Sequence, residues 1–178
     1  MKGSKGWIIK ITCTSVAASM VFTLVSSRVL GNAGYIAAIS ALVIFIALGI
    51  IFDIIGVAAT SASEAPFHSM AAHRERGAAE AIRLIKNAGK VSSVCNDVVG
   101  DIAGIISGTT AALVAARLSA GFSVSEIVAQ LLISAAVTAA TIGGKAAGKL
   151  LAISRTNAIL LRIGKIISIF SRNNSASG

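Results

Sequence analysis

Charge is the scarcest resource of this sequence. Of its 178 residues only 13% are charged and 55% are hydrophobic, whereas a soluble domain carries about 25% charged residues. That scarcity excludes a water-soluble globular chain and points to an integral membrane protein. Aromatic residues are also few, at 4%. The formal charge of +9 therefore does not describe a nucleic-acid face, which interleaves bases with stacking rings. The basic residues gather instead at the ends of apolar stretches, as membrane topology requires. There are two cysteines, Cys13 and Cys95, both inside apolar stretches and without paired spacing. They read as small buried hydrophobes, and no disulfide or metal clip is expected. Nucleophile–base pairs, phosphate loops and metal-hydrolase motifs are missing too, so the chain is not expected to be an enzyme.

What is present is a series of apolar runs long enough to cross a bilayer, each needing about 20 residues. The expectation is a single all-α integral membrane domain over 1–178. It has about four transmembrane helices, a juxtamembrane amphipathic helical hairpin and a C-terminal amphipathic helix. The first span, 7–27, is diluted by serines and threonines, but their hydroxyls can bond within the helix or across to a neighbour. Trp7 suits the interface, and the span is read as a retained helix rather than a cleaved signal. Gly31-Asn32-Ala33-Gly34 reads as a tight turn. The second span, 35–60, contains Asp53, which reads as an interfacial or hydrogen-bonded carboxylate in preference to a ligand.

Residues 66–88 are too polar to span. Phe67, Met70, Ala71, Ala78, Ala81, Ile82 and Ile85 recur at helical spacing, with Arg74, Glu75, Arg76, Glu80, Arg83 and Lys86 on the other face. This predicts an interfacial hairpin broken near Gly77 and stopped at Asn87-Ala88-Gly89. His68 and His73 lie on its charged face, without a third ligand at metal spacing. The third span, 91–116, carries the stripe Gly100, Gly104 and Gly108, which lets another helix approach closely; a turn over 117–123 reverses the chain. The fourth span, 124–151, includes Gly143-Gly144-Lys145-Ala146-Ala147-Gly148-Lys149, polar and flexible for its setting. Residues 153–171 form a basic amphipathic helix suited to an anionic membrane surface, and 173–178 a short disordered tail.

With the N-terminus inside, almost every base lies on the cytoplasmic side, and only Arg28 and Arg117 fall outside. The positive-inside rule then predicts a multi-pass protein of the cell (plasma) membrane with cytoplasmic N- and C-termini.

The third span also holds Asp97 and Asp101, four residues apart and so on one helical face. A carboxylate at the bilayer centre costs about 2.5–3.5 kcal/mol on insertion scales and marks a functional position by default. Around them the sequence resembles the transmembrane domain of the CNNM/CorC family of magnesium transporters. The resemblance rests on Ser61-Ala62-Ser63-Glu64-Ala65, on Gly77-Ala78-Ala79-Glu80-Ala81, on Asp97 and Asp101-Ile102, and on Gly144-Lys145-Ala146-Ala147-Gly148-Lys149. It covers roughly 41–170. Aspartates stand where the family has asparagines, and Lys145 stands in the frame of a family glutamate.

The resemblance implies a homodimeric domain that holds largely dehydrated Mg²⁺ on side-chain oxygens and exports it against Na⁺. The nucleotide-binding CBS domains common in the family are not expected here. Carried onto this chain, the metal ligands are Ser61, Ser63, Asp97 and Asp101, hard oxygens that suit Mg²⁺. Lys145 is their candidate charge partner. If its ammonium stands where the cation would, the domain is a non-transporting scaffold or partner-binding protein. A pore-forming peptide fits the size and charge but explains neither the aspartates nor the long amphipathic connector.

Overall fold

The computed structural model describes residues 2–31, 34–122 and 125–175. Among these residues the chain is all-helical, and four helices are long and apolar enough to cross a membrane. Helix α1 runs Lys2–Gly31, α2 Tyr35–Ser61, α3 Ala65–Ala72, α4 Ala78–Lys86 and α5 Ala88–Ser92. Helix α5 passes directly into a π-helical segment, Ser93–Gly100, and then into α6, Asp101–Phe122. Helix α7 is Glu126–Ser154 and α8 is Thr156–Ser175. The apolar crossing segments are Gly6–Arg28, Tyr35–Ser61, Ala88–Gly121 and Glu126–Ser154.

Several boundaries differ from the sequence reading. The hairpin breaks around Gly77 as expected, but the third span starts at Ala88, because only Asn87 separates α4 from α5. Helix α6 continues to Phe122 through the expected turn, since Leu118, Ser119 and Ala120 are good enough helix residues to extend it. Asn32 and Ala33 of the first expected turn lie outside the described residues. The Gly143–Lys149 stretch is continuous helix. Asn173–Ser175 belong to α8 rather than to a disordered tail, and 176–178 lie outside the described residues.

Helix α2 is the hub, packing against α6, α7 and the π segment. The packing is close because small residues alternate with branched ones. A Cβ on Gly148 would meet Ile54 Cγ1 at 2.9 Å, and one on Gly144 would overlap the end of Ile50. The glycines of α7 are therefore seats for the isoleucines of α2. Hydroxyls within the bundle bond back to their own helices. Thr110 Oγ1 donates to Ile106 O at 2.7 Å and Ser107 Oγ to Gly104 O at 3.0 Å, which spares buried donors. Helix α1 leans on α6 more loosely. A wholly apolar cavity of about 290 Å³ lies there, lined by residues including Phe22, Phe52, Val99 and Ile106.

One end of the bundle carries a second core, where the ends of two spans meet the shorter helices. Phe67 of α3, Ala81 of α4, Ala58 and Ala59 of α2, Ala152 of α7 and Leu160 of α8 form one buried cluster. Lys90 Nζ of α5 lies 5.4 Å from the Trp7 ring centroid, so the start of α1 belongs to this same end. The α3–α4 connection is clamped onto α8. Gly77 has φ 87°, and a Cβ on Gly164 would overlap its carbonyl oxygen. Both positions need glycine, the first for its backbone and both for the close approach. Gly77→Ala should lower stability by about 1–2 kcal/mol from the left-handed conformation alone, checked by thermal unfolding. An unchanged midpoint would show that the clamp does not hold α8.

Candidate functional site

The polar interior of the bundle is built on one face of α2. Gly49, Asp53 and Gly56 lie at i, i+4 and i+7, a single stripe. At one end of the stripe Gly49 faces Ala103, whose Cβ would be 3.5 Å from an added Cβ. At the other end Gly56 receives the amide of Asn96, whose Cγ would be 2.8 Å from an added Cβ. Helix α2 and the π segment run antiparallel, so Asp53, between the two glycines, comes level with Val99 and Gly100.

Asp53 is 5% exposed, and among the described residues its Oδ2 has no hydrogen-bond partner. Asn96 Oδ1 is likewise buried and unpartnered, while its Nδ2 donates to Ser92 Oγ at 3.3 Å. A buried carboxylate without a partner is unusual, because native structures pair such groups or neutralise them. Two unpartnered oxygens on facing helices present a set of hard acceptors.

The π segment contributes to this geometry. An i→i+5 register widens the helix and is rare except as short interruptions, often at functional sites. Here it spans Ser93–Gly100 and carries Asn96. Gly100, its last residue, is buried. A Cβ there would lie 3.5 Å from Cys95 O and 3.7 Å from Lys145 Nζ.

Beyond Gly100 lies a cavity of about 440 Å³, with Asp101, Ser107, Thr141 and Lys145 among its walls. Thr141 Oγ1 is buried and unpartnered as well. Lys145 is half-buried, and among the described residues it forms no ion pair. An ammonium and a carboxylate facing one cavity in a spanning region, without touching, fit a cavity that water enters.

The residues expected to ligate a metal are thus distributed. Asp101 and Lys145 meet at the cavity. Asp97 is exposed on the π segment, next to the inward-facing Asn96. Ser61 ends α2 and Ser63 lies in the following turn, both exposed and neither lining that cavity. The described residues contain no group of three or more histidine, cysteine, aspartate or glutamate side chains placed to hold a metal. The structure does not give Lys145 an ion pair with Asp97 or Asp101.

Asp53 departs from the sequence reading. It is neither at the surface nor hydrogen-bonded through Oδ2, because Gly49 and Gly56 let the partner helix close over it. Asn96 is neutral and so carries no charge signal in the sequence. A signal existed in Asp53-x-x-Gly56 and Asn96-x-x-x-Gly100, where each polar residue shares a helical face with a glycine that permits close approach.

Both cysteines are free thiols; Cys95 is buried as expected, but Cys13 is exposed, because the α1 span is not buried within the bundle. His68 Nε2 lies 3.2 Å from Glu64 Oε2 on the exposed face of α3, and His73 is exposed at its end. An added Cβ on Gly104 or Gly108 would meet nothing within 4 Å, and Gly104 also lines the cavity that holds Asp101 and Lys145. No protein-family model, curated protein or solved structure matches this chain.

Proposed function

We propose that this chain is a multi-pass membrane protein that binds a hard cation between α2 and the π segment and passes it across the bilayer. Mg²⁺ is the first candidate as substrate and Na⁺ the candidate coupled ion. The observation that carries the reading is the pair of buried oxygens, Asp53 Oδ2 on α2 and Asn96 Oδ1 on the π segment packed against it, neither with a hydrogen-bond partner among the described residues. A cation coordinated there would compensate the charge that the protein leaves alone, and oxygen-only donors suit Mg²⁺ in preference to softer metals. The resemblance to CNNM/CorC transporters points the same way. In this reading Asp101, Ser107 and Thr141 line the approach, and Lys145 limits how readily a cation passes Gly100.

Placement in the plasma membrane, with both termini cytoplasmic against an anionic inner leaflet, belongs to the same proposal. It is supported by the bases collected at the end that holds α3, α4, α5 and α8. Assembly as a homodimer is also part of it, with the open face of α6 at Gly104 and Gly108 as the surface available for close helix contact.

The test is Mg²⁺ flux into proteoliposomes, followed with an entrapped fluorescent indicator. Wild type should give saturable flux above protein-free vesicles, and flux no greater than theirs would refute transport. Lys145→Met should lower the half-saturating Mg²⁺ concentration by about fivefold, since one repelling charge leaves the approach. An unchanged or higher value would remove Lys145 from the path.

A further inference from the structure

We propose that the groove between the α3–α4 connection and α8 is a binding site for the phosphate head group of an anionic lipid. Its walls come from segments distant in sequence. A cavity of about 440 Å³ is lined by Arg76, Lys165, Ser168 and Ile169. An adjoining one of about 260 Å³ shares Arg76 and Ser168 and adds Arg74, Glu75 and Glu80. The contact of Gly77 with Gly164 holds the two walls together backbone to backbone, so the basic groups are positioned before any ligand arrives. Arg74 adds to this, since it holds a left-handed backbone at φ 56°, which costs a non-glycine residue free energy.

The charge balance selects an anion. Lys165 Nζ donates to Glu75 Oε1 at 3.4 Å, and Glu80 is the other carboxylate on the groove. Arg74 and Arg76 are exposed, and among the described residues neither has an acidic partner. Two free guanidinium forks match phosphate oxygens better than ammonium groups do.

Location selects a lipid over a free phosphate. Ile169 on the groove wall is 60% exposed and Ile166 of the same helix 56%, apolar surface that an acyl chain would cover. The groove also lies at the end of the bundle where α2 and α7 leave the apolar span, which is head-group depth. The proposal depends on membrane embedding but not on cation transport.

The test uses the full chain in detergent and native mass spectrometry with dioleoylphosphatidylglycerol or dioleoylphosphatidylcholine. The glycerol lipid should be retained in preference to the choline lipid. Arg76→Gln and Arg74→Gln should each weaken its retention by about fivefold, the effect of one basic group near an anionic surface. Arg83→Gln and Arg155→Gln, exposed positions outside the groove, should leave retention unchanged. Equal losses from the control substitutions would overturn the site in favour of diffuse attraction. So would the absence of any preference between the lipids. Displacement of the lipid by millimolar inorganic phosphate would overturn the lipid assignment.

Discussion

Asp53→Asn will raise the thermal stability of the metal-free protein and abolish its stabilisation by Mg²⁺. The first half follows from burial. The wild-type carboxylate is 5% exposed with Oδ2 unpartnered, and replacing an uncompensated buried charge by a neutral group of the same shape removes its desolvation penalty. The second half follows from linkage. A ligand that binds only the folded state at a hundred times its dissociation constant stabilises by about 2.7 kcal/mol. For a chain of this size that raises the unfolding midpoint by roughly 5–10 °C. Wild type should show this shift on adding Mg²⁺, and the variant should show none while starting from a higher midpoint. A variant that keeps the shift would place the cation elsewhere. One that starts lower would mean that the carboxylate is compensated by the protein itself.

The second large effect is expected from Gly56→Val. A Cβ at this position would overlap the Asn96 amide, and the remaining approach is no better, with Cγ at 2.8 Å and Nδ2 at 3.1 Å. The amide must then leave the face of α2, or the π segment must move away from it. Overpacking a buried contact typically costs about 1–3 kcal/mol, and the branched side chain puts Gly56→Val at the upper end, about 3 kcal/mol. Because Asn96 is displaced with it, Mg²⁺ stabilisation should disappear together with fold stability. Gly108→Val is the matched control, since an added Cβ there meets nothing within 4 Å. It should change the unfolding midpoint of the isolated chain by little. If both variants behave alike, the loss belongs to helix propensity and not to the contact with Asn96.

Much of the fold is legible in the sequence because its signals are local. Runs such as Tyr35–Phe52 are apolar over a full crossing length, and bases mark their ends, so the spans follow from composition. The break at Gly77 follows from periodicity and from a residue free to take positive φ. The helix boundaries that shifted, at Ala88 and Phe122, lie where weak local preferences were decided by neighbouring helices.

The candidate site is less legible because its signals are pairings between distant segments. Asp97 and Asp101 stand out by charge, yet the residue turned inward against α2 is the neutral Asn96. The glycines at 144 and 148 read as flexibility, but they are the seats of Ile50 and Ile54. Asp53 reads as an interfacial or hydrogen-bonded carboxylate, and only the opposing helix makes it buried with Oδ2 unpartnered among the described residues. The π segment adds a further obstacle, since nothing in Ser93–Gly100 announces a wider register.

Isothermal titration of Mg²⁺ into the purified chain, with Asp53→Asn and Asp101→Asn side by side, tests the central claim most directly. Wild type should give a saturable binding heat that survives Asp101→Asn, since Asp101 lines the approach. The heat should be lost in Asp53→Asn. Binding retained in Asp53→Asn and lost in Asp101→Asn would contradict the claim and move the cation to the cavity beside Lys145.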